Sequence, residues 1–158
     1  MTLISRSNDN VVDYYASWLQ SFHWDLFGTL TFDPGRSLHS PATRRAALNS
    51  YLSSLERYYK RRVRCFWVEE KRWSGCGLPA IAPHFHVLLA CDRNPMTPVY
   101  PRLIWERGAG KADIRVYDSS LNAAGYCAKL LACPNTEYDV VRFASQMRPC
   151  EELHGQLC

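Results

Sequence analysis

An apolar segment that carries two histidines places the strongest constraint on how this chain can fold. The run PHFHVLL, residues 83–89, has the length and aliphatic content of a buried strand. Side chains of a strand alternate between its two faces, so His84 and His86 point to one side and Phe85 to the other. Two imidazoles about one pleat apart are close enough to share a metal ion, although an isolated H-x-H pattern also fits two partly buried histidines that bind nothing.

The expected partner of this strand ends in two carboxylates. The segment VRCFWVEEK, residues 63–71, is predicted to pair with the histidine strand in an antiparallel arrangement. Glu69 and Glu70 point to opposite faces, so only one of them can join the histidines. The residues therefore predict a site of two imidazoles and one carboxylate, with either glutamate as the third ligand.

Strand and helix patterns alternate along the rest of the chain. Segments rich in aromatic, aliphatic and β-branched residues predict strands at 24–32, 63–71, 80–91 and 112–118. Helical spacing and start signals predict helices at 7–22, at about 40–62 and at 119–132. Ser7 to Asp9 and Ser119 or Ser120 are the expected caps, and Ser40 before Pro41 is the expected start of the second helix. We expect 92–111 to be mostly loop with room for a short helix, and 137–143 to be a strand or the start of a helix.

This order of elements predicts the α+β fold class. We expect an antiparallel central sheet of about five strands with helices packed on it, mainly on one face, and the ferredoxin-like split βαβ is the closest common architecture. The length of 158 residues suits one domain, residues 1–158.

Composition and termini indicate a cytoplasmic protein. No stretch approaches the ~20 consecutive apolar residues of a membrane span, and the N-terminal residues lack the pattern of an export signal. The seven cysteines are an odd number and contain no C-x-x-C pair, so we expect reduced thiols.

A helical segment near residue 126 places a tyrosine beside a lysine. In AAGYCAKLL, residues 123–131, Tyr126 and Lys129 are three positions apart and share a helix face. A tyrosine near a metal can act as a covalent nucleophile, and a lysine can offset its charge and hold a phosphate. Any helix can carry this pair, so the pair alone is weak evidence for a nucleophile. It gains weight from its order and spacing relative to the other two segments.

Three segments, in this order, resemble the motifs of the HUH endonucleases, specifically the single-tyrosine initiators of rolling-circle replication. The segments are FGTLTF (27–32), PHFHVLL (83–89) and GYCAK (125–129). FWVEEK (66–71) and IWERGAGKADIRVYD (104–118) resemble the stretches that precede the second and third motifs. The resemblance extends over about residues 24–131 and implies the same split βαβ layout.

The resemblance implies a metal site made by His84, His86 and Glu70. Glu70 is preferred because the acid of the family follows an aromatic–aromatic–aliphatic–any pattern, which Phe66 to Glu69 match, and Glu69 remains the alternative. The implied cofactor is Mg²⁺ or Mn²⁺, while two imidazoles with one carboxylate also accept zinc, nickel or iron.

The implied activity is a nick at a replication origin. Tyr126 would attack single-stranded DNA, assisted by Lys129, and leave a 5′-phosphotyrosine and a free 3′-hydroxyl that can be rejoined. The implied partners are single-stranded DNA of an origin or hairpin and, because no helicase domain fits in the chain, a host helicase and polymerase. A bacterial or archaeal host, with a phage or plasmid as the source, fits this interpretation.

If the chain binds single-stranded DNA, its basic stretch is expected to contact the DNA backbone. Residues 36–72 hold ten basic residues against three acidic ones, and arginine suits phosphate contacts. On charge alone, a solvated helix face is the preferred explanation of the stretch. The expected DNA contacts are Arg44, Arg45, Arg57, Arg61, Arg62, Lys71, Arg72 and, for base stacking, Trp105. Trp67 and Trp73 were further stacking candidates, with Trp67 more typical of a core.

Two other functions fit the same patterns. A single-tyrosine HUH transposase would share the metal site, but such enzymes often carry glutamine where this chain has Lys129. A non-catalytic nucleic-acid-binding module could use the same scaffold, as RNA-recognition folds do, but their aromatic strand signature is not found in the sequence.

Overall fold

The computed structural model describes residues 5–36, 38, 40–70, 82–92, 94–133 and 136–141. In this part of the chain, helices and strands follow one another in the order α1 (Ser5–Gln20), β1 (Leu26–Phe32), α2 (Pro41–Tyr59), β2 (Val63–Glu70), β3 (His84–Cys91), α3 (Val99–Gly108), β4 (Gly110–Val116), a 3₁₀-helix (Ser119–Leu121), α4 (Ala123–Leu131) and β5 (Tyr138–Val141).

The five strands form one sheet in the order β4-β1-β3-β2-β5, and every neighbouring pair is antiparallel. Because β3 lies between β1 and β2, those two strands run parallel, and α2 connects them. In the same way, β1 lies between β3 and β4, which α3 connects. The two interleaved units are the split βαβ arrangement of the ferredoxin-like fold. The α+β class and the five-stranded antiparallel sheet are confirmed.

Both faces of the sheet are covered by helices. One core lies under α2 and α3 and includes Leu30, Phe85 and Trp105. A second core lies under α1 and α4 and includes Phe66 and Leu88. The expectation of helices mainly on one face is therefore wrong. The central strand β3 is buried at every position, so it needs apolar cover on both sides.

The ends of the helices agree with the predicted signals at some positions only. Ser40 caps α2 as expected, accepting a hydrogen bond from the Thr43 amide at 3.1 Å, and the helix ends where Lys60 adopts φ 53°. The predicted caps of α1 are wrong, because α1 begins at Ser5 and runs through 7–9.

The predicted start of α4 is also wrong. Ser119 and Ser120 belong to the preceding 3₁₀-helix, in which the Asp118 carboxylate accepts from the Ser120 amide at 2.8 Å. The N-cap of α4 is Asn122, with φ 55°.

Two further segments take shape in the structure. The stretch 92–111, expected to be mostly loop, contains the ten-residue helix α3. The segment that could have been a strand or a helix start contains β5, which pairs with β2.

Two smaller expectations concern the thiols and the membrane. Cys65, Cys91, Cys127 and Cys133 are free thiols, and the other three cysteines lie outside the described residues. Among the described helices, none combines the length and apolar character needed to cross a bilayer.

Candidate metal centre and adjacent tyrosine

The pairing of β2 with β3 brings one carboxylate to the two histidines. Glu70 lies directly opposite His84 in the strand register. Its Oε2 atom is 3.1 Å from Nε2 of His84 and 2.9 Å from Nε2 of His86. One ligand atom from each of these three residues lies within 4.8 Å of the others. The group has the donors of a divalent metal site, and Glu70, not Glu69, shares the face of the histidines.

Hydrogen bonds at the Nδ1 atoms of both histidines orient the imidazole rings. Nδ1 of His84 lies 3.0 Å from the Ala82 carbonyl oxygen, which can only accept, so this nitrogen donates. Nδ1 of His86 lies 3.2 Å from the Thr29 hydroxyl on β1, which can accept from it. Outer partners of this kind orient metal-binding histidines and leave Nε2 to the metal.

The arrangement requires a positive species between its acceptors. With Nδ1 donating, a neutral His84 presents the lone pair of Nε2 to the carboxylate of Glu70, which is also an acceptor. Two acceptors at hydrogen-bonding distance repel unless a proton or a metal ion lies between them. A proton on Nε2 or a bound divalent ion would satisfy this requirement, and the three donors fit such an ion.

The pKa values of two members favour their ligand forms. Burial raises the pKa of Glu70, but hydrogen bonds to His86 and Tyr126, with the charges of His84 and His86, outweigh it and hold the pKa below its ordinary value. Burial lowers the pKa of His86 by more than its hydrogen bond with Glu70 raises it. An ionised carboxylate and a neutral imidazole are the forms that bind metals.

Tyr126 reaches the same carboxylate from α4. Its hydroxyl donates to Oε2 of Glu70 at 3.0 Å, and its ring meets the ring of His86 edge to face, with centroids 4.9 Å apart. The side chain is 44% exposed. The neighbouring residues Ala124 and Cys127 are fully buried against the sheet, so the small residues of α4 anchor the helix and leave the tyrosine at its open side.

Lys129 follows Tyr126 by one turn and is exposed. Among the described residues, none is hydrogen-bonded or ion-paired to its ammonium group. The fold thus brings Tyr126 to the histidines and Glu70, while the role expected for Lys129 stays a prediction.

Two of the expected DNA contacts are wrong because their side chains are buried. Arg44 is 4% exposed, and its guanidinium forms an ion pair with Glu69, which is 2% exposed, on the α2 face of the sheet. Trp105 is 1% exposed and lies edge to face with Phe32 and Tyr51. Neither side chain can reach a nucleic acid in this fold.

The other basic residues stay predictions. Arg45 is exposed and pairs with Glu137 at 2.6 Å. Arg57, Arg61 and Arg62 are exposed on α2 or just after it, on the opposite side of the sheet from the histidines. Lys71, Arg72 and Trp73 lie outside the described residues. Trp67 is buried in the core, as its position in a strand predicted.

A cavity beside Tyr126 was not foreseen from the sequence. It has a volume of about 430 Å³ and is lined by His86 and Tyr126 together with Asp113, Arg115 and Asp118. Asp113 and Arg115 are two positions apart on β4, so strand periodicity in ADIRVYD could have placed them on one face. The sequence alone did not show that this face borders the tyrosine.

Comparison of the chain with protein-family models, with curated proteins and with solved structures gave no match. The geometry of the site is therefore the main indication of what this protein does.

Proposed function

We propose that this protein is a metal-dependent endonuclease and strand transferase of the HUH type, which cleaves single-stranded DNA through a covalent tyrosine intermediate. One observation carries the proposal: the hydroxyl of Tyr126 and Nε2 of both His84 and His86 all lie within 3.1 Å of one oxygen of Glu70. Phosphodiester transesterification needs a nucleophile next to a metal site, and this arrangement offers a tyrosine hydroxyl beside three metal donors.

His84, His86 and Glu70 would hold the metal. A divalent ion at this position, Mg²⁺ or Mn²⁺ in the proposal, supplies Lewis-acid polarisation of the scissile phosphate. Three protein donors leave coordination positions for substrate oxygens.

The tyrosine performs the exchange of bonds. The Tyr126 oxygen attacks the phosphorus, a bond from that oxygen to phosphorus forms, and the bond from phosphorus to the 3′-oxygen of the preceding nucleotide breaks. The phenol proton is released to solvent, and the leaving 3′-oxygen takes up a proton. One phosphoester bond replaces another, so the reverse reaction can rejoin the strand.

Lys129 is proposed to assist this step. A phenol has an ordinary pKa of about 10, so loss of its proton near neutral pH needs a nearby positive charge. An ammonium group one turn along the same helix face can supply it. The choice of a replication initiator over a transposase rests on this lysine, and initiation would require a host helicase and polymerase.

The decisive experiment is a test for the covalent adduct. The purified protein is incubated with Mn²⁺ and labelled single-stranded oligonucleotides tiled across the DNA that flanks its own coding sequence, then resolved on a denaturing protein gel. We expect a labelled protein band that disappears with EDTA and in Tyr126→Phe. Tyr117→Phe is the matched control, because burial raises the pKa of Tyr117 and the variant should keep the band.

The same assay tests the lysine. Lys129→Met should slow adduct formation by about 10²-fold or more, as expected for loss of a group that assists proton transfer, and Lys129→Arg should restore part of the rate. An adduct that persists in Tyr126→Phe would contradict the assigned nucleophile. Binding without any adduct across the tiled set would favour the non-catalytic nucleic-acid-binding module.

A further inference from the structure

The cavity beside Tyr126 has the walls of a binding site that the cleavage chemistry does not use. His86 and Tyr126 belong to the candidate centre and also line the cavity, so the two spaces are continuous. Its volume of about 430 Å³ lies within the range of small-molecule pockets, roughly 300–1,000 Å³.

Apolar side chains in this wall are left open to solvent. Leu121 is 74% exposed and Val116 is 67% exposed, and both line the cavity, as does Phe27. Large apolar side chains that rim a cavity together are typical of surfaces that a ligand covers. The face of a flat aromatic ligand could cover these apolar side chains, while the polar groups at the ligand's edge stay free to form hydrogen bonds.

The charged groups favour a base over a phosphate. The cavity is lined by two carboxylates, Asp113 and Asp118, against one guanidinium, Arg115. The excess of negative charge repels a phosphate, whereas carboxylates accept hydrogen bonds from the N–H groups of a base.

Hydrogen bonds orient these three charged groups, of which Arg115 and Asp113 have side chains that are 72% and 60% exposed. Arg115 donates to both oxygens of Asp113, at 3.2 and 2.6 Å. Asp118 Oδ1 accepts from the amide and the hydroxyl of Ser120, at 2.8 and 2.6 Å. A guanidinium that keeps further N–H groups thus lies beside oriented carboxylates.

We infer that this cavity binds an unpaired guanine of the DNA strand, on a nucleotide that flanks the scissile phosphate. Guanine presents two adjacent donors, N1–H and the N2 amine, to a carboxylate, and two adjacent acceptors, O6 and N7, to an arginine. The other three bases lack at least one of these pairs. The inference rests on the proposed function, because that function places single-stranded DNA at Tyr126.

The test uses binding, so that it does not depend on cleavage. The Tyr126→Phe protein is titrated, with Mn²⁺ present, against fluorescent thymidine oligonucleotides that carry one central guanine, adenine, cytosine or thymine. We expect the guanine oligonucleotide to bind about tenfold more tightly than the other three. Inosine, which lacks the N2 amine, and 7-deazaguanine, which lacks N7, should each lose most of this preference.

Substitutions of cavity residues test whether the preference for guanine arises in this cavity. Arg115→Gln and Asp118→Asn, introduced into the Tyr126→Phe protein, should each remove the guanine preference. The matched control is Arg102→Gln, because Arg102 is an exposed arginine that also forms an ion pair, with Glu106 on α3. This control should keep the preference.

The outcomes separate the cavity from the nuclease. Equal binding of the four central bases, in a protein whose wild type forms the covalent adduct, would overturn the inference and leave the proposed function standing. A guanine preference that depends on Arg115, in a protein that forms no adduct, would support the cavity and overturn the nuclease. Absence of binding to every thymidine oligonucleotide would overturn the inference, and it would overturn the nuclease as well only if the wild type also forms no adduct with the tiled oligonucleotides.

Discussion

Glu69 and Glu70 are consecutive in the chain, and their carboxylates lie on opposite faces of the sheet. Glu70 meets two histidines and a tyrosine at a partly open site. Glu69 is buried against Arg44. One strand therefore carries a candidate metal ligand and a structural ion pair at adjacent positions.

This relationship predicts different consequences for two similar substitutions. Glu70→Gln should weaken Mn²⁺ binding by more than about tenfold, because even partners outside the ligand shell commonly contribute that much. Glu69→Gln should leave Mn²⁺ affinity unchanged, since its side chain faces away from the histidines. Calorimetric titration of both variants with Mn²⁺ measures the difference, and an equal loss in the two would contradict the assignment of Glu70.

The buried ion pair predicts a large effect on stability. Arg44→Met would remove the guanidinium that forms an ion pair with the buried Glu69 carboxylate, which should cost about 3–5 kcal/mol of unfolding free energy. Arg45→Met removes an exposed pair with Glu137 and should cost less than about 1 kcal/mol. Urea unfolding of the two variants measures both values. Similar small losses would show that Arg44 is not held as the structure places it.

Acid should destabilise the metal-free protein through His86 first. Burial holds the pKa of His86 below its ordinary value of 6.5, so the unfolded chain takes up a proton before the folded one does. The free energy of unfolding should therefore fall as the pH drops through 6.5 towards the folded pKa. Glu70, whose pKa is also lowered, adds stability above its ordinary value of 4.5 that is lost as the pH falls through its folded pKa.

The measurement is urea unfolding in EDTA between about pH 5 and 8. His86→Gln removes the titrating imidazole and should flatten the slope near neutral pH. A variant that keeps the full slope would rule out His86 as its source.

A close backbone approach predicts the effect of two alanine substitutions. A Cβ atom at Gly110 would lie 2.1 Å from the Thr31 carbonyl oxygen and 2.6 Å from the Asp33 nitrogen, where β4 begins to pair with β1. Gly110→Ala should cost at least about 1–3 kcal/mol. Gly108→Ala meets no atom within 4 Å at the end of α3 and should be neutral or slightly stabilising. Thermal unfolding distinguishes the two, and equal melting temperatures would contradict the close pairing.

Local rules in the sequence were enough to place the histidines and to name the fold class. Alternation along a strand puts His84 and His86 on one side without knowledge of any neighbour. Strand alternation alone left Glu69 and Glu70 open, because the choice depends on the register between β2 and β3, and only the family resemblance favoured Glu70. The packing of helices on both faces of the sheet was predictable from the sequence. The segment from His84 to Cys91 has apolar residues on both of its faces, so both faces need apolar cover.

Burial was harder to foresee for polar and aromatic side chains. Arg44 was expected at the surface because arginine usually lies there, and only the position of Glu69 across the packed layers explains its burial. Trp105 was expected to meet a base, but it lies on α3 and packs against Phe32 and Tyr51. Both differences arise from contacts between residues far apart in the chain.

The position of α4 in the topology separates two parts of the candidate site. Glu70, His84 and His86 lie on strands inside the βαββαβ unit that β1 to β4 complete. Tyr126 lies on a helix that follows that unit and packs on α1, which precedes it. The candidate metal ligands therefore belong to the sheet, and the candidate nucleophile belongs to a helix outside the βαββαβ unit. A different helix grafted at this position would inherit the same three donors and give the sheet a different chemistry.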